Sequence, residues 1–235
     1  MAGIQRSMLF DLQREYGAKF SPHQLWQLAE QFPGGKSGEL KQLSEHCGVV
    51  DRSYCGLFRC CGKAAAELPG LCGNWPETPL TPPQVTEVIA NFPAESPSLF
   101  HLLAMDAADH LLAGQRAAGK TAWQELVDLH EVLCHLAVCG KRAEAVLTGP
   151  FAVRVEDLPA PGTWRKITLA EVNTVCFRPP TSPIVEYHLL FDADYAEGMW
   201  EEFCDTPEVK PIGFAAYEET ALPRCSLIPD CRPDR

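Results

Sequence analysis

Residues 122–147 read AWQELVDLHEVLCHLAVCGKRAEAVL, and this stretch sets the expectation for the whole chain. Trp123, Leu126, His130, Leu133 and Ala137 recur at alternating steps of three and four, the spacing of one face of an α-helix. Thr121 precedes the run as a cap, and Gly149-Pro150 ends it. The spacing predicts a long helix, Ala122–Leu147, the strongest in the chain.

Similar signals lie upstream. Gln5–Tyr16 places Met8, Leu9, Leu12 and Tyr16 on one side. Ser21-Pro22 opens a predicted helix through His23–Gln31 that stops at Pro33-Gly34-Gly35. Gly38–His46, Arg52–Glu67, Gln84–Asn91 and a long segment from Ser96-Pro97 to about Ala118 also read as helical, with a proline-rich connection over Gly73–Pro83. After Pro150 the pattern changes. Phe151–Val155 alternates, Trp164–Phe177 is rich in β-branched residues, Ile184–Phe191 puts Val185, Tyr187, Leu189 and Phe191 on one face, and Pro211–Tyr217 is a short apolar run. Tyr195–Cys204 reads as a helix between two of these strands, and the segment from Leu222 as irregular. The expected class is α+β. A helix-rich N-terminal part, residues 1–149, precedes a small, mainly antiparallel sheet with one or two helices, residues 150–235, as two domains or one continuous domain.

The 235 residues are 46% hydrophobic and 22% charged, which suits a globular chain with a substantial core. No run approaches the roughly 20 apolar residues of a membrane span, and the N-terminal MAGIQRSMLFDLQREYG lacks the pattern of a secretory signal. The net charge of -11 disfavours direct contact with phosphate backbones; Lys141-Arg142 and Arg165-Lys166 are the densest basic spots. The 11 cysteines, without a signal segment, point to reduced thiols in the cytoplasm. Neither a G-x-G-x-x-G loop, a Walker A loop, a G-x-S-x-G elbow nor a C-x-x-C pair is present.

His130-Glu131-Val132-Leu133-Cys134-His135 resembles the H-E-x-x-x-H zinc motif of the dipeptidyl peptidase III family. The resemblance implies His130 and His135 as zinc ligands and Glu131 as the base that activates water, with Glu201-Glu202 the available source of a third ligand. On a regular helix, residues five apart point about 140° apart, which opposes a shared ion. His130 with Cys134, and His135 with Cys139, are each four apart and could each supply half of a tetrahedral zinc site, with His46, Cys47, Cys55, Cys60, Cys61 and Cys72 as further donors. Buried free thiols are the competing expectation. Asp192-Ala193-Asp194, after a hydrophobic strand, resembles the D-x-D of GT-A glycosyltransferases, which implies a divalent ion and a sugar nucleotide; a strand end leading into a helix N-terminus explains it equally. Asp106 and His110, with Asp109 nearby, suggest a proton shuttle, a metal site or an i, i+4 ion pair. Trp75, Trp164 and Trp200 are interface candidates, with burial expected for at least two.

These readings lead to a non-enzymatic cytoplasmic protein, without a cofactor, that binds and modulates, by inhibition, a protein partner with a basic surface. A plasmid- or phage-encoded accessory factor acting on nucleic-acid-handling machinery fits, with no direct nucleic-acid or membrane contact. The alternative is a zinc-dependent hydrolase built on the H-E-x-x-x-H segment. Its candidate metal residues are His130, Cys134, His135 and Cys139.

Overall fold

The computed structural model describes residues 4–23, 26–61, 97–102, 126–129, 131–161, 163–179 and 182–220. The chain divides into two compact units, residues 1–54 with 131–225, and residues 55–130 with 226–235.

The first unit is built on a six-stranded mixed sheet. Its strands are β4 (Cys47–Asp51), β8 (Leu133–Cys139), β9 (Trp164–Leu169), β10 (Val172–Phe177), β11 (Glu186–Asp192) and β12 (Val209–Pro211), in the order β12-β4-β8-β11-β10-β9. Only the β12/β4 pair is parallel. A second sheet of this unit joins β1 (Gln5–Arg6), β2 (Lys19–His23) and β3 (Trp26–Gln31), with β3 central. The helices are short: α1 (Phe10–Glu15), α2 (Gly35–Glu45), α3 (Ala143–Thr148), α4 (Ala196–Asp205) and α5 (Phe214–Thr220). In the second unit β5 (Gly56–Cys61) pairs antiparallel with both β6 (Pro97–Leu102) and β7 (Leu126–Asp128).

The helix-rich N-terminal part is therefore overturned, since the described residues before Pro150 hold more strand than helix. Ala122–Leu147 holds β7, β8 and α3 in place of one helix. The reason lies in β8. All seven of its residues are buried, because β4 and β11 flank it and side chains cover both faces. A strand buried on both faces is apolar throughout, and a continuous apolar run satisfies a helical template as easily as a strand. The expected helix His23–Gln31 is instead β3, paired with β2 by the register Pro22↔Gln27 and His23↔Trp26. Gly56–Cys61 and Pro97–Leu102, expected inside helices, are strands. Gln84–Asn91 lies outside the described residues. Gln5–Tyr16, expected as one helix, divides between the strand β1 and the helix α1, whereas Gly38–His46 lengthens slightly to α2.

After Pro150, Trp164–Phe177 forms the hairpin β9–β10 around Ala170 and Glu171, with φ of 46° and 66°. Both positions are left-handed, as a two-residue primed turn requires, yet neither carries the glycine or asparagine that usually signals it. Phe151–Val155 is not a strand; Ala152 takes φ 54° and the chain enters a 3-10 turn at Val155–Asp157. Pro211–Tyr217 divides between the end of β12 and the start of α5.

Strand alternation sorts the sheet into two faces. Val49, Val138, Leu136, Cys134, Tyr187, Leu189, Phe191, Cys176, Ile167 and Leu169 lie on one, and gather with Val146 and Leu147 of α3 and Met199, Trp200 and Phe203 of α4 in the main core. On the other face Val50, Ala137 and Cys139 meet Leu43 of α2 and Ala216 and Tyr217 of α5. Gly48 permits that approach, because a Cβ there would stand 2.2 Å from Ile212. Glu39 pins the same region. Its buried carboxylate accepts hydrogen bonds from the Phe32 N–H (2.6 Å) and the Gly213 N–H (2.9 Å), and burial raises its pKa. Glu39→Ala leaves two buried N–H groups unpaired and is expected to cost about 2–4 kcal/mol in urea unfolding.

Candidate functional site

The second face of the large sheet carries a line of titratable groups. Glu186 and His188 alternate along β11, His135 projects from β8, Arg52 follows the end of β4, and Tyr217 stands on α5. The Arg52 N–H donates to the His135 carbonyl at 2.8 Å, which extends the strand pairing and fixes where its side chain begins. All five side chains are buried, none more than 2% exposed.

The line is continuous. An Arg52 guanidinium N–H donates to the Tyr217 hydroxyl, and that hydroxyl donates to Glu186 Oε2 at 3.2 Å. His188 Nε2 lies 3.3 Å from Glu186 Oε1, and His135 Nε2 lies 2.8 Å from His188 Nδ1. Burial lowers the pKa of His188, so its neutral form is favoured. A neutral His188 that donates from Nε2 to Glu186 and accepts at Nδ1 from His135 pairs a donor with an acceptor at both contacts. Phe177 stacks on the His188 ring with centroids 4.5 Å apart, and the Arg52 guanidinium lies over the Tyr217 ring at 4.7 Å. Burial also pushes the Tyr217 hydroxyl well up, so it remains a donor at neutral pH.

This arrangement combines a fixed cation, an anchored carboxylate and a neutral imidazole outside bulk water. Such a set can stabilise a charged group or pass a proton along two imidazoles. Burying it opposes folding unless every charge is matched, and titratable groups with displaced pKa values concentrate where a protein handles ligands or protons.

The lowered His188 pKa has a consequence for stability. Below the ordinary imidazole range the unfolded chain binds a proton that the folded chain resists, so stability must fall as pH drops below about 6.5. A thermal melt followed from pH 7.5 to 5.5 should show a decreasing Tm, with a shallower slope in His188→Gln.

Of the residues singled out from sequence, Cys134, His135 and Cys139 all lie on β8, while His130 lies outside the described residues. Cys134 faces the main core, whereas His135 and Cys139 share the opposite face, roughly 13 Å apart along the strand. They do not converge on one point. Burial drives the Cys134 and Cys139 thiols well above their usual pKa, so neither is a ready thiolate ligand. Among the described residues no group of three metal-binding side chains occurs. Asp192 caps the turn after β11, accepting from the Asp194 N–H at 2.9 Å. Asp106, Asp109 and His110 lie outside the described residues.

Arg52, Glu186, His188 and Tyr217 were not marked by the sequence. The alternation over Ile184–Phe191 was visible, but it assigns Glu186 and His188 to a polar, solvated face. Here both faces of β11 are buried, and the polar positions form the line. A separate cleft of about 390 Å³, lined by Tyr16, Phe32, Glu39, Cys204 and Lys210 among others, holds no comparable set; the Cys204 thiol there is pushed up to about 12 by burial.

No protein family matches the sequence, and no curated protein does. The fold does have a counterpart. The chain is similar to the glycine cleavage system aminomethyltransferase T from Bartonella henselae, with a TM-score of 0.68 and 19% identity over 93% of this chain and 62% of that one. It spans less than two thirds of that enzyme's length. A heterotetrameric sarcosine oxidase from Corynebacterium sp. U-96 aligns with a TM-score of 0.45 and 13% identity, over 71% of this chain and 88% of that one.

Proposed function

We propose that this protein binds a small molecule carrying an aminomethyl group and moves a proton on it. Glu186 anchors the ammonium; His188, in the tautomer that donates its Nδ1–H to His135 Nε2, accepts the ammonium's proton at Nε2 and passes the Nδ1 proton to His135. The supporting observation is the buried Arg52–Tyr217–Glu186–His188–His135 line, set in a fold that the Bartonella enzyme uses for an aminomethyl group. A carboxylate beside a neutral imidazole suits a primary ammonium, because the first balances its charge and the second takes its proton. The substrate class comes from likeness of fold and the chemistry from the side chains. A cytoplasmic home belongs to the same reading. It is supported by the free thiols of Cys47, Cys134, Cys139, Cys176 and Cys204, the first four of them buried.

Titration calorimetry with glycine and with methylammonium, at pH 7.5, tests the proposal. Saturable binding of either compound is expected, and it should disappear in Glu186→Gln. Absence of heat from both ligands with folded protein overturns the reading.

A further inference from the structure

The two edges of the six-stranded sheet differ. β12 is three residues long and ends on Pro211, which has no N–H to offer. β9 is six residues long, contains no proline, and closes the other side of the sheet.

The pairing shows which of its backbone groups face outward. The Arg178 N–H donates to the Thr163 carbonyl at 3.0 Å, just before β9 begins. The register then runs Arg165↔Cys176, Ile167↔Thr174 and Leu169↔Val172. Hydrogen-bonded pairs alternate in an antiparallel ladder, so these residues spend their N–H and C=O groups on β10. The N–H and C=O groups of Trp164, Lys166 and Thr168 point away from the sheet, and among the described residues no backbone bond meets them.

The charge on this edge opposes that of the chain. Arg165 and Lys166 are exposed, and neither pairs with a carboxylate among the described residues, in a protein of net charge -11. Antiparallel pairing of β9 with the same strand of a second copy would set Arg165 and Lys166 against their own kind, so the charges that discourage self-association leave an acidic strand as the complementary occupant.

We infer that β9 is a docking strand that takes an extended acidic segment of a partner protein by strand addition, the backbone of Trp164, Lys166 and Thr168 supplying the bonds and Arg165 and Lys166 the selectivity. The inference is independent of the proposed ligand chemistry.

Fluorescence anisotropy of a labelled peptide alternating valine and glutamate tests it, with an alternating valine–lysine peptide as the control. The acidic peptide is expected to bind with a Kd at or below about 100 µM, weakening with salt, and to protect the amides of residues 164–168 from hydrogen exchange. Thr168→Pro removes an outward N–H without removing a ladder bond, and should weaken binding at least about tenfold. Lys166→Glu keeps the backbone and should weaken it about fivefold. The docking strand is disproved if the acidic peptide fails to bind at ~1 mM, if the lysine peptide binds as well, or if a folded Lys166→Glu variant binds unchanged.

Discussion

Arg52→Met is expected to lower the unfolding free energy by about 3–5 kcal/mol, the largest effect of any single charge removal in this protein. The substitution keeps the apolar stem but removes the cation that balances Glu186 through Tyr217. The carboxylate is 1% exposed, so water cannot solvate it in place. Its cheapest response is to take up a proton, and stability of the variant should therefore improve as pH falls toward the carboxylate range, opposite to the trend set by His188. The double variant Arg52→Met, Glu186→Gln removes both charges and should regain part of the loss, because a neutral amide still accepts from Tyr217. Guanidinium unfolding of the four species gives the coupling. A loss under about 1 kcal/mol in the single variant, or no recovery in the double, would show that the two charges do not balance one another.

Trp200→Ala is expected to cost about 3–5 kcal/mol. Trp200 is fully buried on α4, within the main core and with its ring 6.2 Å from that of Phe32. It stands one helical turn from Ala196 and Phe203, the apolar side of a helix whose other side carries Glu197, Glu201 and Glu202. Among the described residues its indole N–H has no acceptor. A buried, unpaired donor opposes folding, so Trp200→Phe should cost far less than the truncation, on the order of 1 kcal/mol. Thermal unfolding of both variants separates the two contributions, and an alanine variant no weaker than the phenylalanine one would contradict the core placement. Sequence alone sets an interface against burial in the core for Trp200, and it is buried, although Glu201 and Glu202 follow it directly. They are one face of a surface helix, and the indole is on the other.

Local pattern carried some C-terminal elements, although Phe151–Val155 and Pro211–Tyr217 are not the strands expected. The period of two over Ile184–Phe191 is β11 with its ends shifted slightly, and the helical spacing of Tyr195–Cys204 is α4. In α4 the apolar side meets the core and the polar side meets solvent, so the sequence period and the burial period agree; β11 keeps the sequence period although both of its faces are buried. The hairpin within Trp164–Phe177 was legible as strand but not as two strands, since Ala170 and Glu171 hold left-handed angles that neither residue type announces.

What the sequence determined by itself was composition, charge, the absence of common nucleotide-loop and hydrolase motifs, and those elements that meet solvent on one side. The tertiary structure decided the rest. Leu133–Cys139 is strand rather than helix because β4 and β11 stand on either side of it, and that neighbourhood is set by residues 47–51 and 186–192, far away in the chain. Glu186 and His188 become a site rather than a solvated edge for the same reason. Arg52, His135 and Tyr217 arrive from three other elements to cover and pair them. A period of two records that neighbouring side chains differ in polarity; only long-range packing decides whether the polar ones face water or one another.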